Sequence, residues 1–250
     1  MKKYISSLIP RLREFSASLD RKEFFIDVPW VIIDENLDQQ KYIFRRDGTL
    51  IMSLNGQVTT GRWEYLSAAK CLLIDRVKDK ILLNQNFIDP AVMILKKDGT
   101  KDENLILANE ILLPDLDVEL HLRKLYCEKN NILLKKLKNG VLLEIHNYDF
   151  GYNNIVSIEG DAVPNGRLVC DDSNEEYDIK DSRIARVIRA RVNYSTNRGQ
   201  IVVEQSYRES KPSLGDSVFQ DSNPAPDGKY RLGFMNSILI EGGIVKYLGF

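Results

Sequence analysis

Histidine is the rarest of the side chains that commonly carry acid–base or metal chemistry in this chain of 250 residues, with only His121 and His146. Neither has a second histidine at a spacing that suits a zinc or iron site. The sequence also lacks Gly-x-Ser-x-Gly, the P-loop and Gly-x-Gly-x-x-Gly. We therefore expect a protein that is not an enzyme and needs no metal and no cofactor. Because the separation of paired carboxylates depends on the fold, a carboxylate-based enzyme stays open as an alternative.

Cysteine is also scarce, and its placement argues against covalent or metal cross-links. The three residues Cys71, Cys127 and Cys170 are odd in number and widely spaced, and no Cys-x-x-Cys occurs. A disulfide framework and a zinc ribbon are both disfavoured by this pattern. We expect a reducing, cytoplasmic location.

Long apolar runs and an excess of one charge are missing as well. No run of eighteen apolar residues exists, so no membrane-spanning helix is expected. The N-terminal apolar run is interrupted by Pro10, Arg11 and Arg13, which disfavours a secretory signal. With 35 basic and 36 acidic residues the net charge is −1, so no overall field draws nucleic acid or an anionic membrane to the chain. The apolar content of 43% is enough for one large or two ordinary domains.

Residues 41–66 carry the strongest structural signal in the chain. Asp47-Gly48 and Asn55-Gly56 each stand between apolar runs, and both predict hairpins with type I′ turns, which need positive φ at both central positions. From Gly61 to Tyr65, aromatic and charged residues alternate, as in a half-buried antiparallel strand. The simplest interpretation is a β-meander.

The same order of features resembles a known family. An apolar-aromatic strand, an Asp-Gly turn, a strand, an Asn-Gly turn and a Gly-x-Trp strand are similar to the lipocalin-like domains of bacterial proteins, over roughly residues 28–110. The resemblance implies an antiparallel barrel with the indole of the Gly-x-Trp strand packed inside. It implies no particular substrate, since such domains bind varied ligands or none. If the barrel carries a small apolar ligand, the residues expected to contact it are Trp30, Phe44, Trp63 and Tyr65.

The predicted fold class is mostly β (α+β), with a lipocalin-like barrel, a flanking helix and a second β-rich domain. Apolar spacings of three and four predict a helix from about Pro10 to Leu19, which we expect to plug one end of the barrel. A partner-binding or membrane-surface helix is the alternative. About eight short strands follow, the number typical of a small barrel that is filled or holds one small ligand.

The predicted domains are 1–113 for the helix and barrel, 114–131 for a linking helix, and 132–250 for the β-rich domain. Asp115 is the expected N-cap of the linking helix. The β-rich domain contains two related turn–strand units with the shared order Gly-Asp-x-Val, Pro-x-Gly, Tyr, Ile. This order resembles short β units of bacterial and phage-type structural proteins, which act as spacers or attachment modules. The aligned positions are Gly160 with Gly215, Pro164 with Pro226, and Tyr177 with Tyr230.

One stretch is strongly basic. No acidic residue occurs from Ser182 to Val203, and on a single strand Arg183, Arg189 and Arg191 would share one face, suited to an anionic partner. The acidic cluster at 171–178 offers a simpler alternative, because its carboxylates could pair with these arginines across a hairpin. Nucleic acid is disfavoured as a partner, since only Tyr194 is available for base stacking.

Taken together, these features predict a non-enzymatic interaction or assembly module of bacterial origin. The expected partner is another protein or a copy of the chain itself, with an acidic protein as one option. A small apolar ligand carrier is the alternative, and the contents of the barrel distinguish the two.

Overall fold

The computed structural model of the chain describes residues 2–33, 40–101, 103–147, 153–171, 173–207, 211–234 and 236–249, with side chains from residue 7 onward. Tertiary contacts divide the chain into two compact units, Met1–Tyr126 and Cys127–Phe250. Antiparallel strands dominate both units, which confirms the predicted mostly-β fold class. None of the helices in these ranges is long and apolar enough to cross a membrane.

The first unit is built around an eight-stranded antiparallel barrel. Each strand pairs with the next, and β1 pairs with both β2 and β8, so the ring of strands is closed. Closure pairs the backbone groups that an open sheet would leave at its two edges. The predicted barrel is therefore confirmed, together with its number of strands. The strands are β1 Pro29–Ile32, β2 Gln40–Phe44, β3 Thr49–Leu54, β4 Gln57–Leu66, β5 Cys71–Asp75, β6 Lys80–Ile88, β7 Val92–Lys97 and β8 Asn104–Asn109.

A short segment before β1 plugs one end of this barrel. A 3₁₀ turn, Lys22–Phe24, delivers the ring of Phe25 to the aromatic side chains that close this end. The Phe25 ring stands edge-on to Phe44 and Trp63, with centroids 5.5 and 5.3 Å away. The indole of Trp63 donates to the carbonyl of Arg45 (2.8 Å), so its polar atom is satisfied although the ring is buried.

The N-terminal helix lies elsewhere than predicted. Helix α1 spans Lys2–Leu12, with Pro10 in its last turn, and a 3₁₀ turn, Arg13–Phe15, follows. Its buried residues Leu8, Ile9 and Leu12 pack against outward-facing apolar side chains of β6 and β7. The helix therefore covers the outer wall of the barrel, and the prediction that it plugs an end is wrong. The apolar stripe indicated a buried face, but nothing in it specified which surface would cover that face.

The second helix follows the barrel. Helix α2 spans Val118–Lys129, and Asp117 accepts the backbone N–H of Leu120 (2.9 Å), so Asp117 is the N-cap in place of the predicted Asp115. Val118 and Leu122 join the same outer apolar cluster as α1. The division between the two units falls inside this helix.

Only one of the two predicted type I′ turns has the expected backbone. Asn55 and Gly56 have φ of 49° and 85°, as the two central residues of that turn require. At the other turn only Gly48 has a positive φ (84°), and four residues separate β2 from β3. The Asp47 carboxylate accepts the backbone N–H of Thr49 (2.9 Å), which stabilises this longer loop.

The second unit consists of two repeats of seven strands each. The first repeat is β9 Ile132–Lys136, β10 Leu142–His146, β11 Val156–Ile158, β12 Asp161–Ala162, β13 Gly166–Val169, β14 Glu176–Lys180 and β15 Arg183–Ile188. The second repeat is β16 Ala190–Thr196, β17 Gly199–Gln205, β18 Ser217–Gln220, β19 Asn223–Pro224, β20 Gly228–Gly233, β21 Asn236–Glu241 and β22 Ile244–Gly249. A single residue, Arg189, connects them.

The two repeats share their strand pairing. In each, the first four strands pair in sequence and the last three form a meander. The third and seventh strands are also connected in each repeat: Ile155, the residue before β11, bridges to Arg183 of β15, and Ser217 of β18 pairs with Ile244 of β22. Each repeat encloses its own apolar core.

The repeat visible in the sequence is correct at one turn and misaligned at the others. Pro164-Asn165-Gly166 and Pro226-Asp227-Gly228 are equivalent, and their Asn165 and Asp227 oxygens accept the N–H groups of Asp181 (2.6 Å) and Gly242 (2.7 Å). Gly160, however, lies in the turn before β12, whereas Gly215 lies before β18. Tyr177 lies on β14 and Tyr230 on β20, so these tyrosines are not counterparts either.

The glycine of the Gly-x-Trp motif has a steric role that yields a first prediction. A Cβ atom on Gly61 would overlap the carbonyl oxygen of Asp75 on the neighbouring strand and would stand 3.1 Å from Cε of Met52. We expect Gly61→Ala to lower the free energy of unfolding by about 1–3 kcal/mol, because β4 and β5 must separate locally. The measurement is urea unfolding of the full chain, with hydrogen exchange to locate the loss in β3–β5.

Gly233→Ala is the control for this substitution. A Cβ atom at Gly233 meets no atom within 4 Å, and its backbone φ is one that any residue adopts. Its free energy of unfolding should stay within about 0.5 kcal/mol of the wild type. Equal stabilities for the two variants would contradict the proposed close approach of β4 and β5.

Candidate functional site

The aromatic residues predicted to contact a ligand fill the barrel. Trp30 and Phe44 are fully buried, Trp63 nearly so, and Tyr65 packs against the same core while partly exposed. Trp30 donates to the carbonyl of Phe25 (3.1 Å) inside this cluster. These side chains therefore form the packed interior of the barrel and do not line an open cavity at its centre.

Space remains at the mouth opposite the aromatic plug. A pocket of about 620 Å³ lies there between the ends of β2–β4 and the turn that joins β5 to β6. Arg76 lines it, held by Asp79 (Nε to Oδ1, 2.8 Å) and directed towards the Tyr42 hydroxyl (3.4 Å). The hydrogen bond with Asp79 raises the pKa of Arg76, so this guanidinium stays charged. The other lining residues are Gln40, Met52, Ser53, Leu54, Gln57, Thr59, Val77 and Lys78.

Val77 on the rim of this mouth pocket is both strained and exposed. Its φ of 72° is unfavourable for a β-branched residue, and 80% of its surface is accessible to solvent. Neither feature stabilises the turn. Strained backbone and exposed apolar side chains concentrate at binding sites.

The basic stretch is not one strand, as predicted, but two. β15 ends at Ile188 and β16 begins at Ala190, so the face shared by Arg183, Arg189 and Arg191 does not exist. Val187, which would share that face on a single strand, is fully buried in the core of the first repeat. Arg183 instead donates to the carbonyl of Asn153 (2.9 Å). The break in the strand at Arg189 carried no signal in the sequence.

The arginines at this junction pair with carboxylates of the same unit, as the alternative interpretation predicted. Arg189 donates to Glu175 (Nε to Oε1, 3.0 Å), and Arg191 donates to Glu176 (Nη1 to Oε1, 2.6 Å). Arg186 donates to Asp178 (Nη2 to Oδ2, 2.8 Å). One member of the predicted acidic cluster, Asp172, lies outside the described residues.

The centre of this network is Glu204, which the sequence analysis did not single out. Its side chain is only 5% exposed, and it accepts hydrogen bonds from Arg167, Arg186 and Arg191 at 2.7, 2.7 and 3.0 Å. Arg167 and Arg186 belong to the first repeat, whereas Glu204 belongs to β17 of the second. Glu204 therefore joins the two repeats. A signal existed, because Glu204 is the first acidic residue after the basic stretch and ends an apolar run.

The arginines stabilise the ionised forms of Asp178, Glu176 and Glu175. Burial alone would raise the pKa of Asp178, but hydrogen bonds from Arg167 and Arg186 outweigh it, so the pKa lies below the ordinary value of 3.8. The hydrogen bond from Arg191 lowers the pKa of Glu176 in the same way. For Glu175, hydrogen bonds from Tyr177 and Arg189 exceed the opposite effect of burial and lower its pKa.

Both histidines are hydrogen-bonded to polar side chains of neighbouring elements. His121 on α2 meets Asp89 (Nε2 to Oδ2, 2.7 Å), whose other oxygen accepts two backbone N–H groups of the turn before β7. His146 lies 2.8 Å from the hydroxyl of Ser157, which donates to Glu144 (2.6 Å). His146 must then donate to the serine, the reverse of the role that activates a serine nucleophile. Neither histidine lines the mouth pocket.

An apolar groove opens at one end of the second repeat. It has a volume of about 460 Å³, and Tyr194, Leu232, Ile238 and Leu248 form its apolar walls. Phe234 lies in the turn between the strands that carry the lining residues Leu232 and Asn236, and 93% of its surface is exposed. We call this site the second-repeat groove. Its remaining lining residues are Lys211, Pro212, Ser213, Asn236, Ser237 and Gly249.

The corresponding place in the first repeat is occupied. The shared pairing aligns Tyr177 with Ile238, and Tyr177 is fully buried. Its hydroxyl donates to Glu175 (2.9 Å), which also meets Lys135 (3.6 Å) and Arg189 (3.0 Å). A phenol ring and a polar cap thus occupy this end of the first repeat. In the second repeat the buried ring is that of Tyr230, opposite Ile238 on the neighbouring strand, and its hydroxyl donates to the carbonyl of Pro226 (2.8 Å), which precedes β20 and lies away from the turn that holds Phe234.

Glu204→Gln tests the role of the central carboxylate. The amide keeps the shape of the side chain but leaves three guanidiniums around a neutral group, so we expect the free energy of unfolding to fall by about 3 kcal/mol. Denaturant unfolding of the full chain measures this, with hydrogen exchange to locate the change in β13–β18. Exposed Glu241→Gln, in the same unit, should change stability by less than about 0.5 kcal/mol. A loss no larger than in this control would contradict the central role of Glu204.

The lowered carboxylate pKa values predict that the second unit is sensitive to acid. The contribution of these carboxylates to the free energy of unfolding is complete above the unfolded-state pKa values of about 3.9 for Asp and 4.3 for Glu. It is lost as the pH falls through the lower folded-state pKa values. The thermal midpoint of this unit should be nearly constant from pH 7 to 5 and fall steeply below about pH 4.5. In Asp178→Asn the thermal midpoint should fall less steeply with decreasing pH than in the wild type. If the midpoint falls equally steeply in both proteins, the carboxylate–arginine network is not the cause of the acid sensitivity.

Comparison with protein-family models, with curated proteins and with solved structures finds no significant match to this chain. The resemblance to lipocalin-like domains therefore rests on the closed eight-stranded antiparallel barrel itself.

Proposed function

We propose that this protein is a non-enzymatic interaction or assembly module that binds a protein partner at the second-repeat groove. The observation that carries the proposal is the difference between the repeats: Tyr177 fills this end of the first repeat, and the corresponding end of the second repeat holds Ile238 and an open apolar groove. An open apolar site bordered by an exposed aromatic residue is typical of surfaces that bind other proteins.

The remaining features fit this role. Of the three guanidiniums that the sequence offered to an anionic partner, those of Arg189 and Arg191 are engaged by carboxylates of the same unit, and that of Arg183 donates to a backbone carbonyl. The three cysteines are buried and form no disulfide, which suits the reducing, cytoplasmic setting expected from the sequence. A bacterial origin stays part of the proposal through the resemblance to bacterial lipocalin-like domains.

A small-ligand carrier is the second candidate, and the mouth pocket of the barrel is what favours it. Its volume suits a small molecule, and Met52, Leu54 and Val77 offer apolar contacts beside the charged Arg76. The aromatic residues expected to contact such a ligand, Trp30, Phe44, Trp63 and Tyr65, belong to the packed interior and do not line this pocket.

The test compares partner capture by matched variants of the full chain. Leu248→Asp places a charge in the groove, whereas Ile111→Asp changes an exposed apolar residue of the first unit. A protein retained from native lysate by the wild type should be retained equally by Ile111→Asp and at least tenfold less by Leu248→Asp, because an unpaired carboxylate opposes apolar docking. Quantitative mass spectrometry gives the retained amounts, and thermal unfolding checks that both variants fold.

Two results would argue against the proposal. One is retention that Leu248→Asp leaves unchanged, since the groove is then not the docking site. The other is a small molecule that native mass spectrometry finds bound to the purified chain in place of any protein, which supports the carrier.

A further inference from the structure

We propose that the partner at the second-repeat groove is a second copy of this chain, with Phe234 of each copy inserted into the groove of the other. This inference rests on the proposed function and names the partner. It combines the groove that accompanies the replacement of Tyr177 by Ile238 in the second repeat with the most exposed large apolar side chain in the described part of the chain.

The first repeat indicates which chemical group the groove accepts. Tyr177 lies at the position of Ile238, and its ring extends towards Glu175, the counterpart of the groove residue Asn236. Phenol and phenyl rings have nearly the same shape. The groove wall lacks the carboxylate that accepts the Tyr177 hydroxyl, because Asn236 replaces Glu175. The site therefore favours phenylalanine, which needs no hydrogen-bond acceptor.

Phe234 is placed to fill the groove of another molecule. It lies in the turn between β20 and β21, beside the groove residues Leu232 and Asn236. Because this turn directly joins two residues of the groove lining, a two-fold axis next to the turn would bring each ring to the other groove at the same time. Such an interface is self-complementary and closed, so it ends at a dimer.

Charge and area fit a weak, specific dimer. The turn from Leu232 to Asn236 carries no charge, and among the described residues of the groove lining only Lys211 is charged, so docking brings no opposed charges together there. Two inserted rings bury roughly 300–500 Å² of their own surface, and the groove walls about as much again. The total approaches the ~1,000 Å² that marks the lower limit of specific interfaces. We therefore expect a dimer dissociation constant on the order of 10–100 μM.

The experiment is sedimentation equilibrium of the full chain from about 5 to 500 μM. The mass of the wild type should rise towards that of a dimer across this range. Phe234→Ala should weaken association at least tenfold without lowering the thermal midpoint, because the side chain has almost no contacts in the monomer. Leu214→Ala, which removes another exposed apolar side chain of the same repeat, should associate like the wild type.

Ile238→Tyr provides an independent variant. It places a phenol in the groove as in the first repeat, so the chain should stay folded and monomeric. Should this variant fold poorly, Phe234→Ala decides alone. A wild type that is monomeric up to 500 μM overturns the inference, as does a Phe234→Ala variant that associates normally. The proposed function would survive either result if a different protein is captured through Leu248.

Discussion

A nearly buried carboxylate determines how the second unit is assembled. An ionised side chain cannot leave water without partners of opposite charge, and Glu204 obtains them from three arginines, two of which belong to the other repeat. Asp178 and Glu176 balance the same guanidiniums from the first repeat. The junction between the repeats is therefore polar and held by direct hydrogen-bonded ion pairs, whereas each repeat has its own apolar core.

This division of roles allows the two repeats to differ where they are not joined. At the place where the first repeat has Tyr177 with Lys135, Glu175 and Arg189, the second has Ile238 and an open groove. Both solutions leave the strand pairing intact, because the ring at this end contributes to filling the core and not to the backbone ladder. One scaffold thus supports a closed end in one repeat and an open apolar groove in the other.

The sequence predicted the first unit well because its signals are local. Asn55-Gly56 sets a turn through the backbone of two residues, and alternation around Trp63 sets a face. The position of α1 could not be predicted, because an apolar stripe does not specify the surface that covers it. The loop at Asp47-Gly48 is longer than expected because a side-chain contact to Thr49 competes with the tighter turn.

The candidate site of the second unit was harder to predict because it depends on contacts between distant residues. The acidic cluster and the arginines were visible, but the strand break at Arg189 and the central place of Glu204 follow from tertiary pairing. The strand pairs align Tyr177 with Ile238, and the groove lies at this replacement. The repeat predicted from the sequence instead aligned Tyr177 with Tyr230, so it did not indicate the replacement.

The single residue between the repeats has a mechanical consequence. Because Arg189 alone connects β15 to β16 and is itself tied to Glu175, the connection offers no slack through which one repeat could swing away from the other. A protease that must bind several extended residues would find no such segment at this connection. We also expect tension applied across the second unit to pass directly from one repeat to the next, without first extending a flexible linker.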